Sequence, residues 1–158
     1  MKQQMKQQLI LLLVLTGSLV PQTAVAPASD ETVSLVQKAT VRALTFEQGV
    51  SASLNKARPD FTPQGWEEFM KPMQGFLDAN GAPQFSSKFI PVGNAVITSE
   101  KNGVIQLKIP GTLTQTQGKS STTTYRLRIE VRATGTPPKI EHLDQITCPK
   151  ASAATYCM

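Results

Sequence analysis

The chain has 158 residues, with 16 Lys and Arg against 11 Asp and Glu, which gives a net charge of +5. This length suits one compact domain, and a mild basic excess without blocks of like charge is not the pattern of a nucleic-acid-binding protein. One histidine and two cysteines also argue against a structural zinc site.

Residues 1–28 have the pattern of a secretory signal peptide. Two lysines precede an uncharged apolar run over residues 9–20, which is short for a membrane span, and small residues follow it. We expect cleavage after Ala28, because cleavage after Ala26 would leave a proline at the new terminus. The remaining 130 residues carry a net charge of +3. The chain is therefore expected in the periplasm, with secretion or an uncleaved inner-membrane anchor as alternatives.

Apolar residues at intervals of three and four predict helices in the first half of the exported chain. The pattern indicates one long or broken helix over about residues 31–57, with Gly49 as a kink or break. Arg58-Pro59-Asp60 should end it, since proline removes a backbone donor and restricts the residue before it. A second helical segment is expected from about residue 63 to residue 77.

An aromatic cluster marks the start of the second helix. Residues 61–69 read FTPQGWEEF and contain the only tryptophan and two of the six phenylalanines. Thr62 can cap the helix, because its side chain can accept a hydrogen bond from a free N–H of the first turn. Phe61, Trp66 and Phe69 are then expected to be structural anchors in the core.

From residue 85 onward the hydrophobic period changes to two, which predicts strands. Asn102-Gly103 is the pair that favours a tight hairpin between two of them. The expected strands are 88–98, 104–114, 122–133 and 139–147. Helices followed by an antiparallel sheet predict an α+β fold over residues 29–147, in which the helices cover one face of a curved four-stranded sheet.

The C-terminal tail, residues 148–158, contains both cysteines of the chain, Cys148 and Cys157. In an oxidising compartment this spacing predicts a disulfide that closes a short terminal loop.

The sequence offers little for catalysis. His142 is the single histidine, and no GxSxG, Walker A or GxGxxG motif is present. A structural or solvated role for His142 is the simpler interpretation. No catalytic residue, metal or cofactor is therefore predicted.

The strand over residues 122–133 places Arg126, Arg128, Glu130 and Arg132 on the face opposite its apolar one. An ordinary solvated sheet face explains this alternation. The alternative is a docking surface for an acidic partner, because guanidinium groups can bind carboxylates bidentately.

The aromatic motif and its context resemble the periplasmic domain of the DotI/IcmL/TraM family of type IVB secretion and conjugation systems. The resemblance covers about residues 33–147. The matching residues are Thr45, Phe46, Phe61, Thr62, Gly65, Trp66 and Phe69.

The resemblance implies a bridging-component fold, similar to the nuclear-transport-factor-like cone, without a catalytic residue. It also implies assembly of a secretion complex through contacts with other secretion proteins, and self-association, at the inner-membrane periphery. The chain departs from the family pattern at one point, because family members in the core complex carry a transmembrane helix before this domain, whereas here it follows the signal sequence directly. This departure argues against membrane anchoring and makes a soluble periplasmic or secreted relative the alternative. A small-ligand-binding or enzymatic cone, with Tyr125 in its pocket, and a secreted host-directed factor are the alternatives.

Overall fold

The computed structural model describes residues 28–119 and 121–148. The predicted signal peptide up to residue 27 and the tail from residue 149, with Cys157, lie outside these ranges. The cleavage site, the domain boundaries and the Cys148–Cys157 disulfide therefore stay predictions. Within the described ranges, none of the helices combines the length and the apolar character of a membrane-spanning segment.

The described residues form an α+β fold, as the sequence predicted, with the helices before the sheet. The helices are α1 (Asp30–Ala43), α2 (Ser51–Asn55) and α3 (Pro63–Met73), with 3-10 turns at Arg58–Asp60 and Gln74–Phe76. The strands are β1 (Ser86–Pro91), β2 (Val96–Lys101), β3 (Val104–Gln117), β4 (Ser121–Thr134) and β5 (Lys139–Thr147).

The strands form one open antiparallel sheet in the order β1-β3-β4-β5, and β2 also pairs with β3. β1 and β2 lie along the same edge of β3, β1 beside residues 111–116 and β2 beside residues 104–108. The hairpin between β2 and β3 turns at Asn102 and Gly103, whose φ angles of 55° and 75° are those that the Asn-Gly pair favours.

The sheet has five strands where four were expected, because the segment 88–98 supplies two. β1 ends at Pro91, which has no N–H to offer to a ladder, and Gly93 turns the chain with a φ of 81°. β2 then pairs with residues 104–108 in the first half of β3. All six residues of β2 are exposed, so its sequence lacks the alternation that marks a half-buried strand.

The span of residues 31–57, predicted as one long or broken helix, is broken into α1 and α2, and the break begins before Gly49. α1 ends at Ala43, and Phe46 instead pairs with Ser87 through two backbone hydrogen bonds of 2.9 Å. This pairing extends the edge of the sheet beyond β1. Apolar residues continue at helical spacing after Ala43, because the loop and α2 bury their apolar side chains against the same core as α1. The spacing therefore does not distinguish the loop from a helix.

The core lies between the helices and one face of the sheet, which we call the inner face. On β3 and β4 this face carries aliphatic residues, which are buried. They are Ile105, Leu107, Ile109, Leu113, Leu127, Ile129 and Val131. From the helical side, Val36 of α1 and Leu54 of α2 pack into the same core and are 1% exposed.

Candidate functional site

The aromatic motif docks α3 onto β5. Thr62 is the N-cap, and its hydroxyl oxygen accepts a hydrogen bond of 3.1 Å from the N–H of Gly65. Its own N–H donates to the carbonyl oxygen of Ile140 at 2.9 Å. A Cβ on Gly65 would lie 2.4 Å from that oxygen and 2.8 Å from the carbonyl oxygen of Glu141. Only glycine therefore fits between the helix and this strand. We call this contact the α3–β5 seam.

The three aromatic rings of the motif form one cluster beside the seam. Ring centroids are 5.5 Å apart for Phe61 and Trp66, 5.1 Å for Phe61 and Phe69, and 5.6 Å for Trp66 and Phe69. Phe61 and Phe69 are 6% and 7% exposed, whereas Trp66 is half-buried and packs on the outside of the core. The three rings contact one another and the core. Because Trp66 is only half-buried, it contributes less buried area than a fully enclosed indole would.

The predicted arginine surface lies on the outer face of the sheet, away from the helices. Arg128 Nε contacts Glu130 Oε1 at 2.9 Å, and Arg132 Nε contacts Glu141 Oε2 at 3.1 Å. Arg126 is exposed and lies opposite Thr112 of β3. Two of the three guanidinium groups therefore already hold carboxylates of this domain. Arg126 is the one that the structure leaves most accessible to a partner.

A cavity of about 570 Å³ opens on the inner face, between the end of α3 and the hairpin of β3 and β4. Its volume lies within the range of roughly 300–1,000 Å³ that is typical of small-molecule sites. The apolar wall is Leu44, Phe46, Phe69, Pro72, Met73, Phe76, Phe85, Leu113, Tyr125 and Leu143. The polar wall is Glu68, Gln84, Ser87, Gln115, Gln117, Ser121, Thr123, His142, Asp144 and Gln145.

Tyr125, which the ligand-binding or enzymatic alternative placed in a pocket, lines the cavity. Glu68, His142 and Asp144 line it too. Glu68 and His142 are 74 positions apart in sequence, and only the docking of α3 onto β5 brings them together. No local sequence pattern signals such a pairing.

His142 joins the two carboxylates at the edge of β5. Its Nδ1 lies 3.3 Å from Glu68 Oε2, and its Nε2 lies 2.8 Å from Asp144 Oδ2. Hydrogen bonding to Asp144 is the main cause that raises the pKa of His142, and Glu68 adds to it against the opposing effect of burial. Hydrogen bonding to His142 and then to Gln64 lowers the pKa of Glu68.

This arrangement limits the chemistry of the cavity. Both ring nitrogens of His142 are held by carboxylates, so neither is placed to activate a hydroxyl group of the wall as a general base would. In the part of the chain that the structure describes, no group of three or more His, Cys, Asp and Glu side chains could hold a metal ion.

Solved structures of type IV secretion proteins share this fold. An IcmL-like type IV secretion system protein from Legionella pneumophila matches with a TM-score of 0.64 at 10% identity, over 78% of this chain and 95% of the other. The periplasmic domain of DotI matches with a TM-score of 0.61 at 16% identity, over 75% and 95%. CagV, a VirB8 homolog from Helicobacter pylori, matches with a TM-score of 0.52 at 13% identity, over 73% and 99%.

The sequence itself matches no family model and gives no significant match to a curated protein. At 10–16% identity, the structural likeness establishes the fold. The expected similarity to the IcmL and DotI domains is thereby confirmed at the level of structure, and so is the cone of helices on an open antiparallel sheet.

Proposed function

We propose that the chain is a non-enzymatic periplasmic component of a type IVB secretion system, or a soluble relative of one, and that it acts through protein–protein contacts. The observation that carries this proposal is the match to three secretion-system structures over at least 95% of each of them. The matched part of this chain is nearly its whole described domain. Fold alone does not determine function, so the role has to be tested in cells.

The test of the role is cross-linking in intact cells, followed by identification of the cross-linked neighbours. We expect proteins of the secretion apparatus, and second copies of this chain, among the neighbours in the periplasmic fraction. Recovery of the chain from the culture supernatant, without such neighbours, would instead favour a secreted host-directed factor. Recovery from the membrane fraction with the leader intact would favour the uncleaved anchor.

We infer that the outer sheet face around Arg126 is the surface that meets an acidic partner. Arg126 and Arg132 are exposed on this face, and Arg128 lies on the same side of β4. The partner would supply carboxylates to Arg126 and compete for the two arginines that Glu130 and Glu141 now hold. Arginine is suited to this exchange, because it forms paired hydrogen bonds with a carboxylate.

Arg126→Glu tests this surface. Because Arg126 is exposed, the variant should fold with an unchanged melting temperature but recover at least tenfold less cross-linked partner. Lys38→Glu makes the same change of charge on the exposed side of α1 and should leave recovery unchanged. Equal recovery with both variants would remove the arginine surface from the proposal and leave the secretion role standing.

A further inference from the structure

The cavity on the inner face combines an aromatic interior with an acidic rim. Phe46, Phe76 and Phe85 form a continuous row in its wall, with ring centroids 5.4 Å apart for Phe46 and Phe85 and 5.7 Å for Phe76 and Phe85. Phe76 is 54% exposed, so one end of the row is open to solvent. An apolar group could be buried against this row.

The charged residues in the wall are two carboxylates and one histidine. Glu68, from α3, and Asp144, from β5, are both partly open to solvent, with side chains 37% and 60% exposed. His142 between them offsets at most one of the two negative charges. Among the described residues, no lysine or arginine lines the wall. Cations do act on its carboxylates from outside, since Lys71 affects Glu68 electrostatically and Lys108 and Arg132 share a neighbouring groove with His142 and Asp144. Within the wall the two carboxylates outnumber the one cationic group, so the charge of the lining complements a cation.

We propose that this cavity binds an amphipathic organic cation, which places its apolar body against the phenylalanine row and its protonated amine at the rim beside Glu68 and Asp144. Aromatic faces and carboxylates both attract ammonium groups, and a desolvated apolar body contributes the bulk of the affinity. This inference does not rest on the secretion role, because binding can be measured with the purified chain.

The test uses three probes that share one body and differ in the head group. They are 4-phenylbutylamine, 4-phenylbutan-1-ol and 4-phenylbutyrate, which are cationic, neutral and anionic at neutral pH. Each is titrated into the 15N-labelled exported chain, and amide shifts are followed by NMR. We expect the amine to bind at least tenfold more tightly than the alcohol, the carboxylate to bind more weakly than both, and the shifts to centre on the cavity wall.

Two sets of variants separate charge from space. Glu68→Gln combined with Asp144→Asn should remove the preference for the amine while it leaves alcohol binding intact, which also shows that the variant is folded. Thr123→Trp should fill the cavity and weaken both probes at least tenfold. Thr124→Trp is the matched control, because the neighbouring Thr124 lies on the outer face, where it pairs with Thr114.

Several results would overturn the proposal. They are equal affinity for all three head groups, undiminished amine binding by Thr123→Trp, an unchanged amine preference in the charge variant, and no shifts in the cavity wall at millimolar probe. Each is independent of the cross-linking result. A chain that binds the amine but has no secretion neighbours would keep this inference and lose the proposed function.

Discussion

The inner face of one sheet is closed at the α3–β5 seam and open at the hairpin of β3 and β4. At the seam, helix and strand approach so closely that a single Cβ at position 65 would overlap two carbonyl oxygens. At the hairpin, β3 and β4 continue beyond the end of α3 and leave a cavity of about 570 Å³. The cavity therefore lies where the inner face of β3 and β4 changes from buried aliphatic residues to polar ones.

The largest effect should come from emptying the closed region. Phe61→Ala removes a ring that is 6% exposed and packed between two others, so we expect a loss of about 3–5 kcal/mol in the free energy of unfolding, measured with urea. Phe76→Ala removes a phenyl ring of the same size at the cavity rim. It should lower the free energy of unfolding by less than about 1 kcal/mol, because Phe76 is 54% exposed. Similar losses for both would erase the contrast between the two regions.

Trp66→Ala refines the same comparison. A cost of about 3–5 kcal/mol would apply to a fully buried tryptophan, but the structure leaves the indole half-buried. We therefore expect the urea-measured loss to fall between those of Phe76→Ala and Phe61→Ala. A loss as large as that of Phe61→Ala would mean that the indole is more enclosed than the structure shows.

The next effect concerns the closeness of the seam. Gly65→Ala places a methyl group against backbone oxygens that cannot move without shifting β5, so we expect a loss of about 1–3 kcal/mol, the usual cost of overpacking. Gly75→Ala is the matched control, because a Cβ there meets nothing within 4 Å. Urea unfolding of the two variants should differ clearly. A neutral Gly65→Ala would show that α3 can be displaced from β5 at little cost.

The sequence predicts features that depend on local geometry better than features that depend on pairing between distant segments. Capping by Thr62 and the alternating aliphatic residues of β3 and β4 act through local geometry, which a pattern expresses directly. The split of residues 88–98 into two strands and the end of α1 at Ala43 depend on pairing with distant backbone, which periodicity does not encode.

One sequence signal for the cavity was nevertheless present. On the inner face, aliphatic residues give way beyond Leu113 and Tyr125 to Gln115, Gln117, Ser121 and Thr123, all of which line the cavity. Such a change from apolar to polar along one face indicates where a strand leaves the cover of the helices. The partnership of Glu68 and His142 has no such signal, because it depends on how α3 lies across β5.

The smallest effect should appear at the His142 bridge, where the closed and open regions meet. His142 faces Glu68 of α3 and Asp144 of β5, and Arg132 of β4 lies opposite it in the sheet register. The two carboxylates raise the pKa of His142, so its stabilising effect is complete below its unfolded pKa of about 6.5 and is lost as the pH rises through the folded value. The lowered pKa of Glu68 acts in the opposite sense, since its contribution is present above its unfolded value and is lost as the pH falls through the folded one.

The bridge should therefore be strongest in mildly acidic solution, between the unfolded pKa values of the two groups. NMR titration of the imidazole should give a pKa above about 6.5, and Asp144→Asn should lower it more than Glu68→Gln does, because the bond to Asp144 is the main cause of the shift. The melting temperature of the parent chain relative to His142→Gln should fall as the pH rises above neutrality. If the imidazole titrates at or below its ordinary value, the edge of β5 is not held to α3 by this bridge, and the docking rests on Thr62, Gly65 and the aromatic rings alone.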